Sequence, residues 1–323
     1  MPTVSVIIPA YNCEATILET IASVQRQTFV DFELIVINDG STDRTLDLLK
    51  TLREPRLKVF SYANSGLSTA RNRGIERASC EFISFLDADD LWTADKLARQ
   101  LNALQHNPEA GAVYSRTLVI GRDGNSVYAG TSVGFEGNIY AQLLLDNFIA
   151  SGSNVMLRRR AIESVGRFDR ELRACEDWDY WLRLAARWSF VAVPKPQVLY
   201  RQSASSMSAK IDVMEENFLK VFQRAFGEAP AEYQVLKDRS LSNGYLFLSQ
   251  LCLRYHADID NMKRARKNLF KSLRLYPLNL VHHKAQSIIA KLLLFQLLPS
   301  ESVDMILSKL GRVTHLDKYL DRE

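Results

Sequence analysis

The chain has 323 residues, 47% hydrophobic and 24% charged, with a formal net charge of +4. That length and balance provide a sizeable core for one large or two small domains and exclude a disordered chain. So small a charge gives no reason to expect a nucleic-acid partner, and the longest dense apolar run, residues 292–298, falls far short of the roughly 20 residues that span a bilayer.

In chain order, residues 4–8 form a continuous apolar strand that stops at Pro9, and 16–26 follow with the helical spacing of Ile17, Ile21 and Val24. Residues 32–37 predict a second strand, ending in Asn38-Asp39-Gly40-Ser41, after which Thr42 or Asp43 caps a helix through Leu46, Leu49 and Leu52. A third strand at 57–61, a helix at 68–78 and a strand at 82–86 complete an alternation that argues for βαβ units and a largely parallel, doubly wound sheet. The middle third is less regular: strands at 112–115 and 153–157, a helix at 140–147, and a glycine-rich hairpin or mobile loop at 121–137. Residues 176–185 read as a helix with Trp178, Trp181, Leu182 and Ala185 on one face, and 190–193 and 198–200 as two closing strands. From about Asp212 the pattern is wholly helical, which places a domain boundary near Ala209.

The four cysteines, Cys13, Cys80, Cys175 and Cys252, lack C-x-x-C spacing and read as reduced thiols, so cysteine-bound zinc is not expected. The N-terminus opens on the first strand with no basic stretch before an apolar one, which predicts a cytoplasmic protein without an export signal.

The most informative string is residues 82–90, where a strand runs into Asp87, Asp89 and Asp90. Open α/β sheets bind ligands at the C-terminal edge of their strands, and carboxylates crowded there repel one another unless a cation sits among them. The plain alternative is that they cap a helix starting near Trp92. Against it, Asn12 after strand one, Asp39 after strand two and Arg71 before the acidic strand converge on the same edge.

Pro9-Ala10-Tyr11-Asn12, Asn38-Asp39-Gly40-Ser41-Thr42-Asp43, Gly66-Leu67-Ser68-Thr69-Ala70-Arg71-Asn72-Arg73-Gly74, Asp87-Ala88-Asp89-Asp90 and Glu176-Asp177-Trp178 together resemble the ordered motifs of family 2 inverting glycosyltransferases. The resemblance covers residues 3–208 and implies an α/β fold of the GT-A type, a doubly wound mixed sheet as catalytic domain (1–209); the helical pattern beyond it makes 210–323 an all-helical region. It further implies a nucleotide-sugar donor held by Pro9, Ala10, Tyr11, Asn12, Glu14, Asp39, Arg71, Asp87, Ala88 and Arg201. Asp39 would accept a hydrogen bond from the N3–H of uracil or thymine, Arg71 would reach base and phosphate, and Asp89 would ligate Mg2+ or Mn2+ on the diphosphate. Asp177 would be the base that takes the proton of the acceptor hydroxyl, with Glu176 as fallback, because neighbours on a helix point about 100° apart and cannot both face one hydroxyl. Trp178 and Asp169 would border the acceptor. Where the family often shows Tyr-Arg-x-His, this chain has Tyr200-Arg201-Gln202-Ser203, so the ion would depend on Asp89, the phosphates and water.

Between Asn261 and Ser300 there is no acidic residue but eight Lys or Arg, beside an apolar stripe of Val281, Ala285, Ile288, Ile289, Leu292 and Phe295. A helical cap, a homodimer contact and a peripheral surface for anionic lipid at the inner face of the plasma membrane all fit that pattern. Two other functions stay open: a sugar-nucleotide nucleotidyltransferase, which would want a glycine-rich basic loop that residues 9–14 do not offer, and a non-catalytic glycan or nucleotide binder, which would need no base.

Overall fold

The computed structural model describes residues 2–121, 124, 126–130, 134–149, 151–202, 207–255, 258–298, 314–316 and 319. The chain forms two compact units: Met1–Tyr140 with Phe148–Gln202 and Val313–Glu323, and Ala141–Asn147 with Ser203–Arg312.

The first unit is built on β1 (Val4–Ala10), α1 (Ile17–Gln25), β2 (Phe32–Asn38), α2 (Thr45–Thr51), β3 (Leu57–Ser61), α3 (Leu67–Arg77) and β4 (Phe82–Phe85). Strand β1 lies centrally, parallel to β2 on one side and β4 on the other, and β2 carries β3. Every residue of β1 and β2 is buried, so both read as unbroken apolar runs rather than alternating ones. The strand does not stop at Pro9. It runs on to Ala10, with Pro9 paired to Ile37 near its end, where a missing N–H interrupts little.

After β4 the acidic string leads into a two-residue strand, β5 (Leu91–Trp92), and helix α4 begins only at Lys96 (Lys96–His106). The three carboxylates therefore cap no helix. Strand β6 (Ala110–Ile120) forms an antiparallel hairpin with β7 (Ser126–Ala129), and β8 (Met156–Arg158) lies antiparallel between β6 and β4. Helices α5 (Tyr140–Leu145) and α6 (Arg159–Val165) precede α7 (Glu176–Ala185). The two expected closing strands are one, β9 (Ser189–Arg201), which runs parallel to β6 through Pro194 and Pro196 with register shifts at residues 115–117 of β6. Prolines that signal a break in sequence are here absorbed by bulges. With β10 (Thr314–His315) beside β7, the result is a mixed sheet.

The sheet order β3-β2-β1-β4 reverses direction of growth between β1 and β4, and such a switch point opens a crevice at the C-terminal strand ends. Tyr11 and Asn12, Asp39, and Asp87 to Asp90 all follow those ends. The second unit contains α8 (Ile211–Glu228), α9 (Lys237–Tyr255), α10 (Ile259–Leu275) and α11 (His283–Leu297). Asp258 caps α10 by accepting the N–H of Asn261 at 2.7 Å, and Ser242 of α9 bonds to the carbonyl and hydroxyl oxygens of Ser272 on α10. Among the described residues no helix is long and apolar enough to cross a membrane.

Candidate active site

Helix α3 organises the site. Gly74 lies so close to β1 that a Cβ there would meet Ile7 Cγ2 at 2.2 Å, so the helix is pressed onto the sheet where only glycine fits. On its other side Asn72 clamps Phe168 twice, donating to its carbonyl and accepting its N–H, both at 2.9 Å. Ser68 donates to the carbonyl of Leu172. The loop carrying these partners is further fixed by Phe168, which stacks on Tyr180 with centroids 3.9 Å apart and meets Phe85 edge-on. It ends at Cys175, whose φ of +59° is left-handed backbone that a non-glycine residue adopts at a cost, and α7 starts at once. Among the described residues Asn12, with φ +47°, is the other non-glycine residue with this conformation, and it follows the end of β1.

Arg71 lies between the two carboxylate segments. It is 1% exposed; Nη1 donates to Glu176 Oε1 at 2.6 Å and Nη2 to Asp87 Oδ1 at 2.7 Å. Both ends of its guanidinium face protein carboxylates, and among the described residues its Nε has no partner. Gly152 covers it so closely that a Cβ there would lie 2.3 Å from Nη2.

The carboxylates fall into two classes. Asp90 is fully buried, accepts from Ser153 Oγ (2.5 Å), Ser151 Oγ (3.3 Å) and the N–H of Arg201 (2.9 Å), and holds its proton well above the usual range because of burial and the charges of Asp89 and Asp87. It joins three segments and faces no ligand. Asp89 is half-buried and raised to about 6, first by burial and then by Asp87. Glu176 is taken by Arg71. Asp177, its neighbour, accepts among the described residues only the adjacent N–H of Trp178 at 2.7 Å and is raised to about 7, by burial first and by Glu176 second, against the lowering pull of Arg71. Asp39 differs from both. Only 3% exposed, it accepts the N–H groups of Ser65 and Gly66 (2.8–3.1 Å) and Arg73 Nη1 at 2.8 Å, which leaves little of a carboxylate's roughly four acceptor sites.

The remaining predicted donor residues are placed as follows. Pro9 and Ala10 are buried at the end of β1, while Tyr11 is 52% exposed. Asn12 and Glu14 tie two loops together: Asn12 Oδ1 accepts the N–H of Thr42 and Glu14 Oε2 that of Arg44. The Ala88 carbonyl is held by Thr16 and Thr20. Arg201 is tethered to the Asp89 carbonyl through Nε and to Glu19 through Nη2. Trp178 is 5% exposed, and Asp169 accepts the N–H of Glu171. Ser203 lies outside the described residues.

Sequence reasoning missed Arg73, Gly152 and the Ser151/Ser153 pair. Arg73 stood inside a quoted motif, and two positions on from Arg71 means about 200° around the helix, so if one arginine points inward the other faces the opposite side. There it stacks over Tyr62 at 4.4 Å and pairs with Asp39. Among the described residues no group of three or more His, Cys, Asp or Glu side chains can hold an ion unaided. Asp89 nevertheless fits a cation shared with a phosphate ligand, as a half-buried carboxylate beside the second negative charge of Asp87.

Residues 5–250 match the family described as Glycosyltransferase like family 2. A chondroitin synthase of Escherichia coli is 30% identical over 226 residues, 68% of this chain and 32% of the relative. An Escherichia coli UDP-Glc:alpha-D-GlcNAc-diphosphoundecaprenol beta-1,3-glucosyltransferase is 42% identical over 106 residues, 32% of this chain and 42% of its own. The chain spans less than half the length of either. Among solved structures, a mannosyltransferase from Pyrobaculum calidifontis in complex with GDP-Man and Mn2+ has a TM-score of 0.58 at 18% identity, covering 92% of this chain and 86% of that one. S. aureus TarS 1–349 in complex with UDP-GlcNAc gives 0.54 at 18%, covering 85% and 89%. At these identities the likeness is one of fold, the GT-A arrangement.

Proposed function

This chain belongs to glycosyltransferase-like family 2 and is a glycosyltransferase with the GT-A fold; from that premise we propose inverting transfer of a sugar from a UDP- or dTDP-linked donor to a hydroxyl of a glycan or lipid-linked glycan, in cell-surface polysaccharide synthesis. The observation that carries the reading is Asp177. It is the one carboxylate of the Glu176-Asp177 pair that Arg71 does not engage, and its proton affinity is raised to about 7, where a general base works best at neutral pH. The names of the relatives, one acting from UDP-Glc on a diphosphoundecaprenol-linked sugar, support the donor and acceptor classes.

Asp177 takes the proton of the acceptor hydroxyl as that oxygen bonds to the anomeric carbon. The bond from that carbon to the diphosphate oxygen breaks on the opposite face, which inverts the configuration. Tyr11, exposed at the end of β1, lies against the nucleoside, and Asp39 with Arg73 sets the backbone of Ser65 and Gly66 along the base. Asp89 would hold a divalent cation, Mg2+ or Mn2+. When bound, that ion neutralises the charge gathering on the departing diphosphate.

A panel of nucleotide sugars with Mn2+, scored by release of the nucleoside diphosphate, tests the reading. Turnover with a uridine or thymidine donor is expected, lost with EDTA and in Asp89→Ala. Undiminished turnover without metal overturns the role of Asp89.

For the helical unit we propose a peripheral contact with an anionic bilayer. Phe270, Leu278 and Val281 are 67%, 65% and 75% exposed, and Arg266, Lys267 and Arg274 are exposed beside them. Spacing of 4, 3 and 4 puts Lys263, Lys267, Phe270 and Arg274 on one face of α10, and each basic group near an anionic surface contributes about 1 kcal/mol. The full chain should sediment with vesicles containing anionic phospholipid and not with zwitterionic ones, and Phe270→Asp should weaken that. No sedimentation, or a stable dimer burying Phe270, refutes it.

A further inference from the structure

We propose that Arg71 is a positioning residue rather than a nucleotide contact: its buried guanidinium joins Asp87 after β4 to Glu176 at the start of α7, and so fixes the donor-side and base-side carboxylates relative to each other. Asp87 belongs to the string that also holds Asp89, and Glu176 is bonded in sequence to Asp177. A rigid planar cation with one bond at each end, 2.7 and 2.6 Å long, sets the spacing between those two segments. Lysine cannot reproduce it, because an ammonium on a flexible stem lacks the fork.

The surroundings hold the fork in place. Gly152 leaves no room for it to move, Phe168 lies 5.5 Å from its carbon, and Phe168 is itself clamped by Asn72 on the helix that carries Arg71. At 1% exposure the guanidinium has no open edge for a ligand. The charged groups acting on Asp177 are Glu176 on its own helix, Arg71 on α3 and Asp87 after β4. Removing Arg71 leaves two negative charges near Asp177 uncompensated, whereas removing the charge of Glu176 leaves a cation in excess. The two changes therefore move the proton affinity of Asp177 in opposite directions.

The inference rests on Asp177 as the base, so the experiment separates the two. Arg71→Lys, Arg71→Gln, Gly152→Ala and Glu176→Gln are purified and their folding checked by circular dichroism. For each, affinity for the free nucleoside diphosphate with Mn2+ is measured by calorimetry, and kcat across pH. Arg71→Lys and Gly152→Ala should lower kcat by about tenfold or more, since small misplacements of reacting groups cost that much. Diphosphate affinity should stay within about threefold, well under 1 kcal/mol. The acid limb of the kcat profile should move up in Arg71→Gln, which removes the cation, and down in Glu176→Gln. A diphosphate affinity weakened tenfold or more by Arg71→Lys, or acid limbs moving the same way, overturns the inference. If Arg71→Lys does not fold, Gly152→Ala and Glu176→Gln carry the same decision. Full turnover in Asp177→Asn would remove the base assignment alone, while diphosphate affinity still decides whether Arg71 touches the donor.

Discussion

Asp39 and Asp177 are the same residue type at neighbouring edges of one unit, and their surroundings are opposite. Asp39 receives backbone N–H groups from Ser65 and Gly66 and a guanidinium from Arg73. Asp177 receives one N–H from its own neighbour, while the nearest cation spends its bonds on Glu176 and Asp87. A saturated carboxylate is a fixed strut. An unsaturated one, held with its proton affinity near neutrality, can take and release a proton. The chain thus separates holding from reacting through the supply of donors, without changing the side chain.

Breaking the reactive side has the largest expected effect. Asp177→Asn should cut transfer by about 10²–10⁴-fold, the usual contribution of a positioned base, while nucleoside diphosphate affinity measured by calorimetry is retained. Breaking the strut should act on binding and stability. Asp39→Ala strands Arg73 and the N–H groups of Ser65 and Gly66, a loss of about 1–2 kcal/mol in chemical denaturation, with donor binding weakened alongside. Asn72→Ala removes both bonds to Phe168 and should cost about 1–2 kcal/mol, with kcat falling while donor affinity holds.

The smallest effect sharpens the comparison through pH. Folding raises the proton affinity of Asp177 from 3.8 to about 7, so its contribution favours the folded state below the lower value and is lost as pH rises through the higher one. Asp177→Asn should therefore melt higher than the parent at pH 8, by about 2–4 °C, and lose that advantage at pH 4 or below, as followed by thermal denaturation. Activity runs the other way, falling as pH drops through 7. A parent more stable than the variant at pH 8 would mean that Asp177 is satisfied after all.

Much of this was legible in the residues, and the illegible parts have physical reasons. Strands β1 to β4 stand out because burial on both faces demands unbroken apolar runs, as in 4–8 and 32–37. Strand β9 was divided in two because Pro194 and Pro196 interrupt its pattern, and only the partner strand β6 shows that register shifts accommodate them. Asp177 and Asp89 could be selected by motif. Arg71 could not be placed, because a sequence states that an arginine is present and not whether its partner is a phosphate or Glu176, 105 positions away. Gly152 carries no side chain to notice, and its importance is the atom it lacks.

Residues 141–147 belong with the helical unit although that unit's main span begins sixty residues later. Leu143 and Leu144 are fully buried, Ser240 and Asn243 hold the carbonyls of Leu144 and Leu145, and Lys284 pairs with Asp146. Ser240 leaves the ribosome 96 residues after Leu144, which at usual translation speeds is about 5 to 20 s. During that interval the two leucines have been made and their native partners have not. A nascent chain arrested before Ser240 should thus recruit chaperones at this segment, and a gene shortened to end at 209 would leave that exposure permanent.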